Sequence, residues 1–76
     1  MNKLKKIFEK KFKINLNNEK FKNLKINDIR KWDSMSNLDF IFELEKVFKI
    51  KFKTSELENA TTIKFFINYL KKKKKI

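Results

Sequence analysis

Apolar residues recur at helical spacing in three stretches of the chain. The first, residues 2–13, places Leu4, Ile7, Phe8 and Phe12 on one side and lysines on the other. This predicts an amphipathic helix with Asn2 as its cap. The second, residues 33–48, opens on Asp33, Ser34 and Ser36, all capping residue types. It carries Leu38, Ile41, Phe42, Leu44 and Phe48 on one broad face, with Met35 at its edge. Phe40 and Val47 fall on the opposite side, where exposed apolar side chains would suit a partner surface. The third stretch runs from about Thr62 into the lysines, with a stripe of Ile63, Phe66, Ile67 and Leu70 and a cap at Thr61 or Thr62. Before it, Ser55 and Glu58 match the S-x-x-E capping box, which predicts one short helical turn within residues 54–60.

Residues 14–31 show no sustained period and are punctuated by Asn15, Asn17, Asn18, Asn23 and Asn27, as in a long ordered loop. Leu16, Phe21, Leu24, Ile26 and Ile29 are expected to pin that loop to the core. A loop of this length in a compact domain points to function. A competing pattern exists: residues 12–16 and residues 48–52 alternate with period two, and each stretch reads as a short strand. No hairpin turn joins them and Gly is absent. The expected fold is therefore all-α: a small four-helix bundle, three helices longer and one short, with a long loop between the first two. No internal repeat is read, and the lysine run 71–75 is the low-complexity segment.

Length and composition narrow this picture. Seventy-six residues make one domain, 1–76, whose last residues, 71–76, form a basic tail. Apolar residues are 41% of the chain, enough for a globular fold, and nine Phe and one Trp supply bulk for its core. The chain has neither Cys nor His, which removes the usual zinc ligands, disulfides, thiol nucleophiles and imidazole bases. No metal site and no catalytic residue are expected, and no enzyme activity. No apolar run exceeds three residues, too short for a membrane span or a secretory h-region, so a cytoplasmic location is expected.

The net charge of +12 opens a reading as a small basic helical nucleic-acid-binding protein. Two observations weigh against it. Lys accounts for all the basic residues except Arg30, so the side chain best suited to base and phosphate forks is almost unused. Lys, Asn, Ile and Phe supply 47 of 76 residues, as A/T-rich codons would favour, and such a bias raises the charge whatever the function. Against that background, the 14 residues from Trp32 to Glu45 contain Asp33, Asp39, Glu43 and Glu45 and no Lys or Arg. The window carries −4, leaving +16 on the rest of the chain. A preference for acids in the first helical turn accounts for Asp33 and Asp39 but not for Glu43 and Glu45, so contact with a basic partner surface is the simple reading.

Ser34 sits at the head of this acidic helix, directly after Asp33. Alone, an Asp-Ser pair is an ordinary cap. A serine there is nevertheless exposed, and free backbone N–H groups and the helix dipole can accommodate a phosphate. The surroundings carry more. Trp32-Asp33-Ser34-Met35, then Leu38, Ile41, Leu44-Glu45, Phe48, Ile50 and Phe52, resembles the acyl carrier protein family, whose members carry W/A-D-S-[LM] followed by a helix ending in L-E-x-x-F. Glu56-Leu57-Glu58 is similar to the family's short third helix. The segment from Thr61-Thr62-Ile63 through Ile67-Asn68-Tyr69-Leu70 is similar to its T-T-[VI]…I-x-Y-[IL] final helix. The resemblance runs without gaps from Asp33 to Leu70, about half the chain; the first helix and the long loop agree in position only.

The resemblance implies that Ser34 receives 4′-phosphopantetheine from coenzyme A as a phosphodiester, with a phosphopantetheinyl transferase supplying the magnesium and the base. The arm's thiol would carry acyl or aminoacyl groups as thioesters to partner enzymes of fatty acid or specialised acyl or peptidyl biosynthesis. Asp33, Asp39, Glu43 and Glu45 would face basic docking patches on acyl-loading and acyl-transferring enzymes, with Met35 an apolar contact beside the serine. Ile41, Leu44, Phe48, Phe52, Leu57, Ala60 and Phe66 match positions that line the acyl pocket in such proteins, and are equally well read as ordinary core. A monomer is expected, without nucleic acid and without stable membrane insertion. The chain also departs from the family. Typical members are acidic throughout, Lys46 and Val47 stand where relatives often continue with acids, and the usual Gly before the motif is missing. These point to a divergent carrier dedicated to one pathway. A carrier-like fold that has lost its arm and acts as a docking module stays open beside it.

Overall fold

The computed structural model describes residues 2–76, with side chains from residue 3 onward. Within them the chain forms five α-helices and no strand: α1 (Asn2–Phe12), α2 (Asn18–Lys22), α3 (Ser34–Phe48), α4 (Thr54–Leu57) and α5 (Ile63–Lys72). They fill a volume of 26 × 23 × 19 Å. The longest is 15 residues, and no helix is long and apolar enough to cross a membrane.

Three helices lie where the periodicity puts them. In α1, Leu4, Phe8 and Phe12 are buried and Ile7 packs against them; the cap expected at Asn2 lies outside the described side chains. In α5, Ile63, Phe66, Ile67 and Leu70 are buried, joined by Tyr69, and the Thr62 hydroxyl caps the helix by accepting the Phe65 N–H at 3.0 Å. α3 starts as expected, but its buried face is rotated. Asn37, Phe40, Ile41, Leu44 and Phe48 point inward, while Leu38 and Phe42, expected in the core, are exposed. Phe40, expected outside, is fully buried because four rings enclose it: Phe8, Phe12, Trp32 and Phe66, at centroid distances of 5.3–6.5 Å. Val47, the other residue expected there, packs against the core half-buried.

The segment between α1 and α3 is not the helix-free loop its sequence suggests. It contains α2, five residues whose start is capped by Asn17 Oδ1, which accepts the Lys20 N–H at 2.8 Å. Phe21 from this turn is fully buried, and Leu16, Leu24, Ile26 and Ile29 pack on the core as expected. An isolated antiparallel bridge between Lys25 and Thr62 ties the segment to the start of α5. The register of α4 also differs from expectation. Lys53 is the cap position, and its N–H donates to Glu56 Oε1 at 2.7 Å; Ser55 lies inside the turn and Glu58 beyond it.

The two period-two stretches are one structural device used twice, not strands. Glu9-Lys10-Lys11-Phe12-Lys13-Ile14-Asn15-Leu16 and Glu45-Lys46-Val47-Phe48-Lys49-Ile50-Lys51-Phe52 end α1 and α3 in the same way. Lys13 and Lys49 adopt left-handed backbone, with φ of 53° and 55°. The following Ile N–H reaches back to the Glu carbonyl, at 3.1 Å from Ile14 to Glu9 and 3.2 Å from Ile50 to Glu45. The Glu carboxylate then accepts the N–H seven residues on, Leu16 for Glu9 and Phe52 for Glu45, each at 2.8 Å. Alternation is real, since Phe12, Ile14 and Leu16 all face the core, as do Phe48, Ile50 and Phe52. Among the described residues no chain segment pairs with either stretch to form a ladder. α5 closes similarly, with Lys74 at φ 59° and the Lys75 N–H on Leu70 O at 2.8 Å.

These left-handed positions usually belong to Gly, and the chain has none. A Cβ there costs about 1–2 kcal/mol. Lys13→Gly and Lys49→Gly are each expected to stabilise the fold by about 0.5–1 kcal/mol net of the greater freedom Gly has when unfolded. Thermal denaturation followed by circular dichroism should show a rise of about 4 °C for each. Lys6→Gly, exposed within α1, should lower the midpoint by a similar amount. Equal shifts at all three positions would show that the left-handed geometry is not the cause.

Candidate functional site

The start of α3 is built from its own residues and from one buried relay beneath it. Asp33 takes an extended conformation, φ −103° and ψ −173°, and its Oδ1 accepts the Ser36 N–H at 2.9 Å. Its backbone carbonyl accepts the Asn37 N–H at 2.8 Å. The Ser36 backbone N–H, and after it the Ser36 hydroxyl, hold the Asp33 carboxyl below its ordinary value. This cap's contribution to stability is therefore present above the usual carboxylate range and fades as pH falls through the lowered value. Ser34, the first helical residue, is exposed. The N–H groups of Ser34 and Met35 belong to the turn that has no intrahelical acceptor.

Beneath this turn lies Asn37, the buried polar residue of the helix, which the sequence reading passed over. Its Oδ1 accepts the Trp32 indole N–H at 2.9 Å, and its Nδ2 donates to Ala60 O at 2.8 Å. The relay joins the residue before the Asp-Ser pair to the segment leading into α5. Trp32 is held further by its carbonyl, which accepts the Asn27 N–H at 2.8 Å, and by the rings of Phe8 and Phe40. The one available signal in the sequence was an Asn, a poor former of helix interiors, one turn into an otherwise acidic and apolar helix.

Outward from Ser34, α3 presents a continuous exposed face. Met35, Leu38 and Phe42 are 79%, 44% and 58% exposed, at the i, i+3, i+7 spacing of one stripe, and they are the large exposed apolar side chains identified among the described residues. Asp39 and Glu43, also exposed, run beside them at i and i+4. Of the acids expected to share a face, Asp33, Asp39 and Glu43 are exposed, whereas Glu45 is half-buried and its carboxylate is committed to the Phe52 N–H. The apolar side of the face consists of Leu38 and Phe42 beside Met35, in place of Phe40 and Val47.

The seven residues matched to an acyl pocket are part of the packed interior. Ile41, Leu44, Phe48, Phe52, Ala60 and Phe66 are buried, and Leu57 packs half-buried against them. Phe66 meets Phe40 and Phe52 edge-on, and Phe52 stacks on Tyr69 with centroids 4.4 Å apart. Tyr69 donates its hydroxyl to Lys51 O and Glu56 Oε1, both at 3.2 Å; burial, then the Glu56 charge, push its ionisation up. Two surface depressions, of about 480 and 230 Å³, are lined by Ile7, Lys10, Lys11, Glu43 and Val47 and by the segments 12–14 and 29–31, and none of the seven borders either. Comparison of the chain with protein-family models, with curated proteins and with solved structures finds no match.

Proposed function

We propose that the chain is a carrier protein, a small helical domain of the acyl carrier type in which Ser34 is the anchor for a 4′-phosphopantetheine arm and the exposed face of α3 docks partner enzymes. The observation that carries this reading is the exposed Met35–Leu38–Phe42 stripe, bordered by Asp39 and Glu43 and starting beside an exposed serine. A stripe of this kind exposes apolar area that a lone small domain gains nothing by leaving in water. Its acids, on a chain of net charge +12, suit a basic patch on the partner.

The residues at the anchor fit a phosphodiester. Residue Ser34 is exposed, the N–H groups of the first turn lack intrahelical acceptors and favour an added negative group, and Asp33 spends its Oδ1 on Ser36 N rather than on the serine beside it. Attachment joins the Ser34 oxygen to phosphorus, sends the hydroxyl proton to a base on the transferase and releases the adenosine bisphosphate half of coenzyme A. The arm, once bound, supplies a thiol that holds an acyl or aminoacyl group as a thioester. The chain itself orients that arm and offers no competing thiol. Because Ile41, Leu44, Phe48, Phe52, Ala60 and Phe66 are already packed against one another, the carried group belongs outside the helices, along the α3 face.

Intact-mass analysis after incubation with coenzyme A and a broad-specificity phosphopantetheinyl transferase tests the anchor. The expected result is a gain of one phosphopantetheine, lost in Ser34→Ala and retained in Ser36→Ala. A gain that survives Ser34→Ala, or no gain with any of several transferases, would overturn the reading.

A further inference from the structure

The fold gathers part of the lysine complement at one pole of the molecule. α1 and α3 are antiparallel: Lys3 Nζ lies 5.4 Å from the Phe48 ring centroid, Phe8 meets Phe40, and Phe12 meets Trp32. α5 begins beside Leu24, whose carbonyl accepts the Ile63 N–H, and its later turns reach the segment that follows α3. There Tyr69 stacks on Phe52 and bonds Lys51 O, and Lys73 Nζ lies 5.5 Å from the Tyr69 centroid. The start of α1 and the ends of α3 and α5 therefore share one pole. Ser34 lies at the other end of α3, about 20 Å away at the helical rise.

Lys49, Lys51, Lys53 and the lysine run 71–75 lie at this pole, all exposed. Among the described residues, ion pairs are formed by Lys5 with Glu9 along α1 and by Lys22 with Glu19, and neither involves Lys49, Lys51, Lys53 or the run 71–75. The carboxylates that reach it, Glu45 and Glu56, accept the backbone N–H groups of Phe52 and Lys53, and the Glu56 charge offsets part of that of Lys53 and Lys73. Complementing the C-terminal dipoles of two helices needs only one or two cations each. Eight exposed lysines exceed that need.

We propose that this pole is a docking surface for anionic phospholipid. Ammonium groups spread over helix ends and turns match the diffuse negative potential of such a surface, where each adds affinity independently. Nucleic acid is the poorer fit. Stacking on bases requires exposed rings, and Phe52 and Tyr69 at the pole are buried. Phosphate forks require Arg, and Arg30 lies in the segment before α3. With the pole on lipid, Ser34 and the apolar stripe of α3 would face away from it. This inference stands whether or not Ser34 carries an arm.

Co-sedimentation of the full chain with vesicles tests it. Binding is expected to phosphatidylcholine vesicles containing about 30 mol% phosphatidylglycerol and not to phosphatidylcholine alone, and it should fall steeply with added salt. The variant K49Q/K51Q/K53Q/K73Q/K75Q should lose about tenfold or more in affinity, whereas K10Q/K20Q/K22Q/K25Q/K31Q, with the same charge change elsewhere, should lose less than about threefold. All these side chains are exposed, so both variants should keep the parent's thermal midpoint. Absence of binding to the anionic vesicles at low salt, equal losses in the two variants, or tighter binding to single-stranded RNA with the same dependence on the pole would overturn the proposal.

Discussion

Phe8→Ala is expected to remove about 4 kcal/mol of stability, the cost of emptying a fully buried aromatic site. Phe8 is where the chain's separate pieces meet. Its ring touches Phe12 of its own helix, Phe21 of α2, Trp32 and Phe40, with centroids at 4.6, 5.4, 5.1 and 5.4 Å. The contacts with Trp32 and Phe40 are near-perpendicular, at 82° and 85°, the favoured edge-to-face arrangement. A 76-residue domain has a total stability of about 4–11 kcal/mol, so this one change removes between about a third and all of it. Urea denaturation should show a midpoint lowered by at least about a third, with an unchanged slope if the chain still folds. Phe42→Ala removes a ring that is 58% exposed and should change stability by less than about 0.5 kcal/mol. Phe42→Ala tests the rotated face of α3: were Phe42 the core residue, its loss would also cost several kcal/mol.

That rotation marks where local pattern stops being informative. The stripes of α1 and α5 were readable because lysines or polar residues fill the rest of each turn, leaving one apolar side. α3 has apolar residues around most of its circumference, at Met35, Leu38, Phe40, Ile41, Phe42, Leu44, Val47 and Phe48. Which of them goes inside depends on partners elsewhere in the chain, here the rings of Phe8, Trp32 and Phe66 around Phe40. α2 escaped for a different reason. Five residues complete little more than one turn, too few to establish a period, and the Asn17 cap looked the same as the neighbouring loop asparagines. The repeated helix ending was visible as alternation, but its meaning lay in hydrogen bonds from Glu9 and Glu45 to residues seven positions on. Of the candidate site, the Asp33 cap, the exposure of Ser34 and the acids at Asp39 and Glu43 were legible directly. Met35 was legible too, but Leu38 and Phe42 beside those acids were not, because their exposure follows from the same rotation.

Asn37→Leu is expected to cost about 3 kcal/mol although it adds apolar bulk to a buried position. The side chain removed is the partner of two groups, the Trp32 indole N–H and the Ala60 carbonyl, and neither has water to replace it. Asn37→Asp separates this explanation from simple misfit. An ionised carboxylate can still accept from Trp32 but turns an acceptor toward the Ala60 carbonyl, and burial disfavours its charge. Its folded-state pKa should therefore be raised above the unfolded value. A group raised in this way binds protons more tightly in the folded state, so its penalty grows as pH rises above the unfolded value and shrinks as pH falls below it. Measured as a difference from the parent, which cancels the loss of the Asp33 cap in acid, Asn37→Asp should recover part of its stability between about pH 7 and pH 4. Asn37→Leu should show no such recovery. Equal pH dependence in the two variants would mean that Asn37 fills space and its hydrogen bonds contribute little. Because the relay fixes Trp32 and Ala60 one turn below Ser34, a loss of both bonds should also loosen the start of α3, visible as faster amide exchange at Ser36 and Asn37, whose N–H groups are held by Asp33. The geometry of the exposed serine thus rests on a buried amide three residues away, and the exposed apolar stripe that begins beside it depends on the same anchor.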